Sequence, residues 1–148
     1  MDNLKIGKFF MNFHGWYMLV MGILMIFVTE IMFISDFYAY TGVTYQTYYE
    51  TNQLYAEIFI IQKKLMGIMI SALGILTLFV VRKGFSKGQK WSWYAILIIG
   101  VIVWGSFIGY KIIIEYYGGS MITFIVGAVL FLVGLIFPAK IFLRNKAT

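Results

Sequence analysis

The groups in this chain that could take part in chemistry are few: six carboxylates, one histidine and no cysteine among 148 residues. Without cysteine there are no disulfides, thiolate nucleophiles or Fe–S ligands. A single histidine, His14, cannot assemble a multi-histidine metal site from this chain alone. It stands beside Trp16 and Tyr17 at the start of an apolar run, where an interfacial structural role is expected. Serines are scarce and no phosphate-cradling loop is present, so no catalytic residue, metal-ligand set or cofactor site is assigned.

What remains is ionisable groups inside apolar sequence. A charged side chain at the centre of a bilayer costs at least about 2.5–3.5 kcal/mol on insertion scales, which makes Glu30 the main candidate. Glu30 lies as far along the chain from Phe13 as Lys64 lies from Val81. Both are therefore expected at one depth, roughly 25 Å from the basic ends of their helices at 1.5 Å per residue. An ion pair of Glu30 with Lys64 or Lys63, with Gln62 and Glu57 as neighbours, is the expected site. In the competing arrangement the two lysines snorkel to the headgroups and Glu30 reaches water. The lysines oppose cation binding there, so no metal is expected. Lys111 and Glu115, spaced i and i+4, are expected to form a solvated pair at the outer end of the third span.

The elements that must position these groups follow from composition. The chain is 61% hydrophobic and 12% charged, against about 45–50% and about 25% in soluble domains. Four apolar stretches, 13–34, 56–82, 91–115 and 120–142, each suffice to cross a bilayer. Pro138 falls near the end of the last, where a missing backbone donor is tolerated. The expectation is an all-α integral membrane protein, a single membrane domain over 1–148, built as an up-down bundle of four transmembrane helices. Lys5, Lys8, Arg82, Lys83, Lys87, Lys90, Lys140, Arg144 and Lys146 gather beside one set of ends. Basic residues resist translocation. Both termini and the loop 82–90 are accordingly expected in the cytoplasm, and the acidic, Tyr-rich loop 35–55 outside it. The net charge of +6 is explained by this topology and not by nucleic-acid binding.

Lipid supplies no hydrophobic drive between helices, so small residues must let them approach. Gly15 with Gly22, Gly67 with Gly74, and Gly127 with Gly134 repeat at heptad spacing, Gly67 with Ser71 is a small-xxx-small pair, and Gly105 with Gly109 is a GxxxG pair. Packing within the chain is expected to use these positions, with a partner face as the alternative.

The Gly15-Trp16-Tyr17 opening, the polar outer loop, Lys64 shortly before Gly67, and Lys90-Trp91-Ser92-Trp93 leading into the third span resemble small DoxX-like four-helix membrane proteins over most of the chain. The resemblance implies a four-helix membrane fold, and some members of that group are subunits of quinone-linked membrane oxidoreductases. The expected function is that of a non-catalytic accessory or structural subunit of a larger membrane enzyme complex, of respiratory or monooxygenase type. Its expected partners are membrane lipids and other membrane-protein subunits. The alternative is a binder of a lipophilic ligand, a quinone or a lipid, between helices near Glu30 and Lys64. A transporter is disfavoured because the inner halves of the spans carry almost no polar side chains.

Overall fold

The computed structural model describes residues 3–29, 34, 37–38, 40–113 and 119–143, with residues 119 and 120 as backbone only. All regular structure among them is helical: α1 (Asn3–Phe27), α2 (Tyr45–Thr51), α3 (Gln53–Lys83), a single 3-10 turn (Phe85–Lys87), α4 (Lys90–Ile113), α5 (Gly119–Ile136) and α6 (Ala139–Leu143). Three helices, α1, α3 and α4, are long and apolar enough to cross a membrane, with mean hydropathies of 1.5, 2.2 and 2.1 over their best windows. The apolar part of α5, Met121–Ile136, is shorter.

Several helix ends differ from the sequence expectation. α1 begins ten residues earlier than the apolar run, because Asn3, Lys5 and Lys8 form a polar first turn and a half that water can solvate. It ends at Phe27, where the Thr29 hydroxyl donates to the carbonyls of Met25 and Ile26 and satisfies orphaned acceptors. The stretch expected as 120–142 is broken: α5 stops at Ile136 and α6 restarts after Pro138, which has no backbone N–H to continue the ladder. One carbonyl freed by that break, Leu135 O, accepts from the Trp93 indole N–H of α4 at 3.0 Å.

The Tyr-rich segment is not a bare loop. α2 lies within it, opened by Thr44, whose hydroxyl accepts from Thr47 N at 3.1 Å. Phe37, Tyr45, Tyr48 and Phe59 pack their rings together, which seats α2 on the N-terminal end of α3. At the opposite end, Gly88 takes a left-handed conformation (φ 70°) and closes the turn from α3 into α4.

α1 is the central helix. Its most extensive interface is with α3 and its next with α5, while α3 and α4, although consecutive, meet sparsely. The α1–α3 contact is backbone on backbone. A Cβ placed on Gly22 would stand 2.6 Å from Gly67 O and from Ser71 N; one on Gly67, 2.7 Å from Gly22 O; one on Gly74, 2.6 Å from Leu19 N. Gly15 abuts Leu78, with 2.8 Å between a Cβ and Leu78 Cγ. α1 meets α5 with another face, where Gly7 fits against the Pro138 ring and Met11 against Gly134. Phe85 of the turn stacks on Phe142 of α6, ring centroids 4.8 Å apart. The start of α1, the α3–α4 turn and the end of α5 with α6 therefore share one end of the molecule.

Among the described residues no atom lies within 4 Å of a Cβ built on Gly105 or Gly109, so this pair packs against none of them. Lys111 also departs from expectation. It is 4% exposed rather than solvated, with its ammonium 5.9 Å from the centre of the Phe124 ring, and Glu115 lies outside the described residues.

These contacts set opposite outcomes for two glycine substitutions. Gly67→Leu has to force α1 and α3 apart and is expected to cost on the order of 1–3 kcal/mol, the usual range for overpacking. Gly105→Leu enters open space and is expected to leave the monomer's thermal unfolding in mild detergent within about 0.5 kcal/mol of the parent. Equal melting of the two variants would contradict the packing described.

Candidate functional site

The polar centre of the bundle is His14. The early start of α1 carries it about three turns into the helix, roughly 16 Å from Asn3, and it is 2% exposed. It is therefore buried among three helices rather than interfacial. Trp104 of α4 donates its indole N–H to His14 Nε2 at 3.0 Å. The two rings meet edge to face at 5.6 Å and 61°, and Phe131 of α5 covers the imidazole at 5.8 Å.

Two glycines make room for these aromatic rings. A Cβ on Gly100 of α4 would collide with the Phe131 ring, and one on Gly127 of α5 would collide with the Trp104 ring. Each helix thus inserts an aromatic side chain into a glycine notch on the other, and each aromatic stands one helical turn after its own helix's notch. His14 closes the arrangement from α1. Tyr17, one turn further along α1, adds a second tie to α5 by donating to Thr123 O at 2.6 Å.

The hydrogen bond determines the tautomer. An indole N–H only donates, so His14 Nε2 carries no proton and the neutral imidazole bears its hydrogen on Nδ1. Nδ1 is buried and has no hydrogen-bond partner among the described residues. An unsatisfied buried donor of this kind is uncommon. The nearby gap lined by Tyr17, Met18, Met25, Val103, Trp104 and Phe124 measures about 20 Å³, room for a single water-sized body. Among the described residues no three His, Asp or Glu side chains come together as metal ligands. The centre's evident capacity is to fix the mutual rotation of α1, α4 and α5, with one N–H to spare.

The residues expected to form an ion-pair or ligand site are differently placed. Glu30 lies outside the described residues. Glu57 is exposed and accepts from Gln53 Nε2 at 3.1 Å and from the Tyr49 hydroxyl at 3.3 Å, so it belongs to the α2–α3 polar surface. Gln62 and Lys64 are exposed on α3, and Lys63 is half-buried. Of the glycines proposed for packing, Gly15, Gly22, Gly67, Gly74, Gly127 and Gly134 stand at close approaches, Ser71 lies against Gly22, and Gly105 and Gly109 do not. Gly100, Trp104 and Phe131 were not singled out from sequence. The signal available was a glycine followed one turn later by a large aromatic, present once in each of the last two long helices.

Trp104→Phe is expected to leave His14 Nε2 without its donor and to lower stability by about 1–3 kcal/mol, the cost of orphaning a buried acceptor. His14→Phe removes both imidazole nitrogens. The double variant should accordingly be less destabilised than the sum of the singles. Strict additivity in detergent unfolding would show that the indole–imidazole bond is not coupled.

Comparison with known proteins finds no matching family model, no matching curated protein and no matching solved structure.

Proposed function

We propose that this chain crosses the membrane four times, with both termini in the cytoplasm, and serves as a non-catalytic accessory subunit of a larger membrane enzyme complex. The observation that carries this reading is the open GxxxG pair of α4. Gly105 and Gly109 share a helix face with the exposed side chains of Ile98 and Ile102. Glycine weakens a helix relative to alanine, and close approach of another backbone is the physical return for placing it there. Gly15, Gly22, Gly67 and Gly74 have such a backbone neighbour within the chain, Gly134 lies against Met11, and Gly100 and Gly127 each receive an aromatic ring. The α4 pair has no close neighbour among the described residues, and a transmembrane helix of another subunit fits it.

The four-crossing topology is supported by the end of the molecule that α1, the α3–α4 turn and α6 share. Lys5, Lys8, Arg82, Lys83, Lys87, Lys90 and Lys140 are all on these segments, which is the asymmetry expected of a cytoplasmic face. The α5 helix spans about 27 Å at its 18 residues, close to the roughly 30 Å of hydrocarbon.

Native mass spectrometry of the chain extracted gently from its own membrane is the test. Larger subunits are expected to co-purify, and Gly105→Leu with Gly109→Leu is expected to reduce their retention about tenfold or more while leaving the monomer folded. A lone chain in every mild detergent, or undiminished retention by the double variant, would refute the proposal.

A further inference from the structure

At the shared end of the bundle, α1, α3 and the turn after α3 border a second, half-open cavity of about 320 Å³, lined by Lys8, Asn12, Trp16, Leu78, Arg82 and Ser86. The lining falls into two columns. Lys8, Asn12 and Trp16 follow one another at i+4 on α1, and Leu78, Arg82 and Ser86 do the same along α3 and the turn beyond it. The contact of Gly15 with Leu78 fixes how the antiparallel columns register. Lys8 and Ser86 stand nearest the end of the bundle, Asn12 and Arg82 one turn further in, and Trp16 and Leu78 deeper still. Polarity falls from cation to apolar surface in that direction, as it does along a phospholipid from phosphate to acyl chain.

Among the described residues no carboxylate lines this cavity to neutralise the two cations, so an anion is the charge it lacks. Asn12 Nδ2 donates to Lys8 O at 2.9 Å and Ser86 Oγ donates to Arg82 O at 3.0 Å. Both side chains therefore spend a donor on the wall. Asn12 Oδ1 and the lone pairs of Ser86 Oγ remain, and these suit a hydroxyl. The Trp16 side chain is exposed and, with Leu78, gives the deeper end of the cavity an apolar surface. A single lipid of the right class would meet all three zones at once.

We infer that this cavity binds the headgroup of an anionic, hydroxyl-bearing phospholipid such as phosphatidylglycerol. The phosphodiester lies between the Lys8 ammonium and the Arg82 guanidinium, the headgroup hydroxyls donate to Asn12 and Ser86, and an acyl chain runs along Leu78 and Trp16. Arginine offers paired donors to the phosphate oxygens. The site goes beyond the partner-subunit reading. It lies on the α1–α3 side of the molecule and does not use the α4 glycine face.

The protein is reconstituted in phosphatidylcholine vesicles containing about one-fifth phosphatidylglycerol, extracted into mild detergent, and its retained lipid is read by native mass spectrometry. The unmodified chain is expected to retain phosphatidylglycerol at least about tenfold over its share of the mixture. Lys8→Gln with Arg82→Gln is expected to lower that retention about 30-fold, from two basic contacts at a headgroup surface. The control, Lys5→Gln with Lys87→Gln, removes the same charge outside the cavity and is expected to change retention less than about threefold. Lipid retained only in proportion to the mixture would overturn the proposal without any variant. Equal losses from the two double variants would reduce the effect to general surface charge and overturn it as well. Displacement of the lipid by millimolar inorganic phosphate would reassign the cavity to a free anion and sink the lipid assignment, whereas retention in its presence supports it.

Discussion

Two helices surrounded by hydrocarbon gain nothing by hiding apolar side chains from each other, because lipid is as apolar as leucine. The association of α1 with α3 has to come from contact density, and contact density requires the backbones to touch. Gly22 against Gly67 and Gly15 with Gly74 provide that touch. Everything else in the molecule is arranged around the helix they seat. α1 offers its glycine stripe to α3 and the adjoining stripe of Gly7, Met11 and His14 to α5 and α4. Exposed isoleucine, leucine and phenylalanine side chains then cover the outside, which in water would be a liability and in lipid is the expected surface.

The same solvent explains the directed hydrogen bonds. A polar hydrogen buried in hydrocarbon has no water to fall back on, so each aromatic donor brought inside is aimed at an acceptor on another helix. Trp93 reaches Leu135 O, Trp104 reaches His14, and Tyr17 reaches Thr123 O. Two of these three acceptors are backbone carbonyls of α5, one exposed by the break at Pro138. Glycine notches determine how near the helices come, and the aromatic donors determine how they are rotated.

How much of this was legible varied with how local the signal was. The heptad-spaced glycines of α1 and α3 could be read directly because the helical period places both members on one face, and composition alone required helices. The aromatic–glycine exchange between α4 and α5 was not read, since Gly100 has no small partner at heptad spacing and its counterpart, Phe131, belongs to another helix. His14 was misplaced for a different reason. Trp16, Tyr17 and the flanking lysines look like a membrane boundary when helix 1 is started at the apolar run, but helix formation does not require apolar residues, and Asn3 to Phe10 already belong to α1. Lys111 was read as solvated from its spacing to Glu115, whereas the ring of Phe124 on another helix covers it. Pairing across helices is the information a linear reading lacks.

The position of α1 between α3 and α5 bears on the order in which the protein can be made. A nascent chain delivers α1 first, and its glycine face has a partner once α3 emerges, so that pair can close early. α4 follows immediately after a tight turn yet has little contact with α3. The notch that receives its Trp104 is on α5, at Gly127. Until α5 is inserted, Trp104 has its His14 acceptor on α1 but no Gly127 notch to enter, and the Gly100 notch of α4 has no Phe131 to fill it. Closing of this side of the bundle is thereby tied to the insertion of α5, the long helix that follows α4 in the chain.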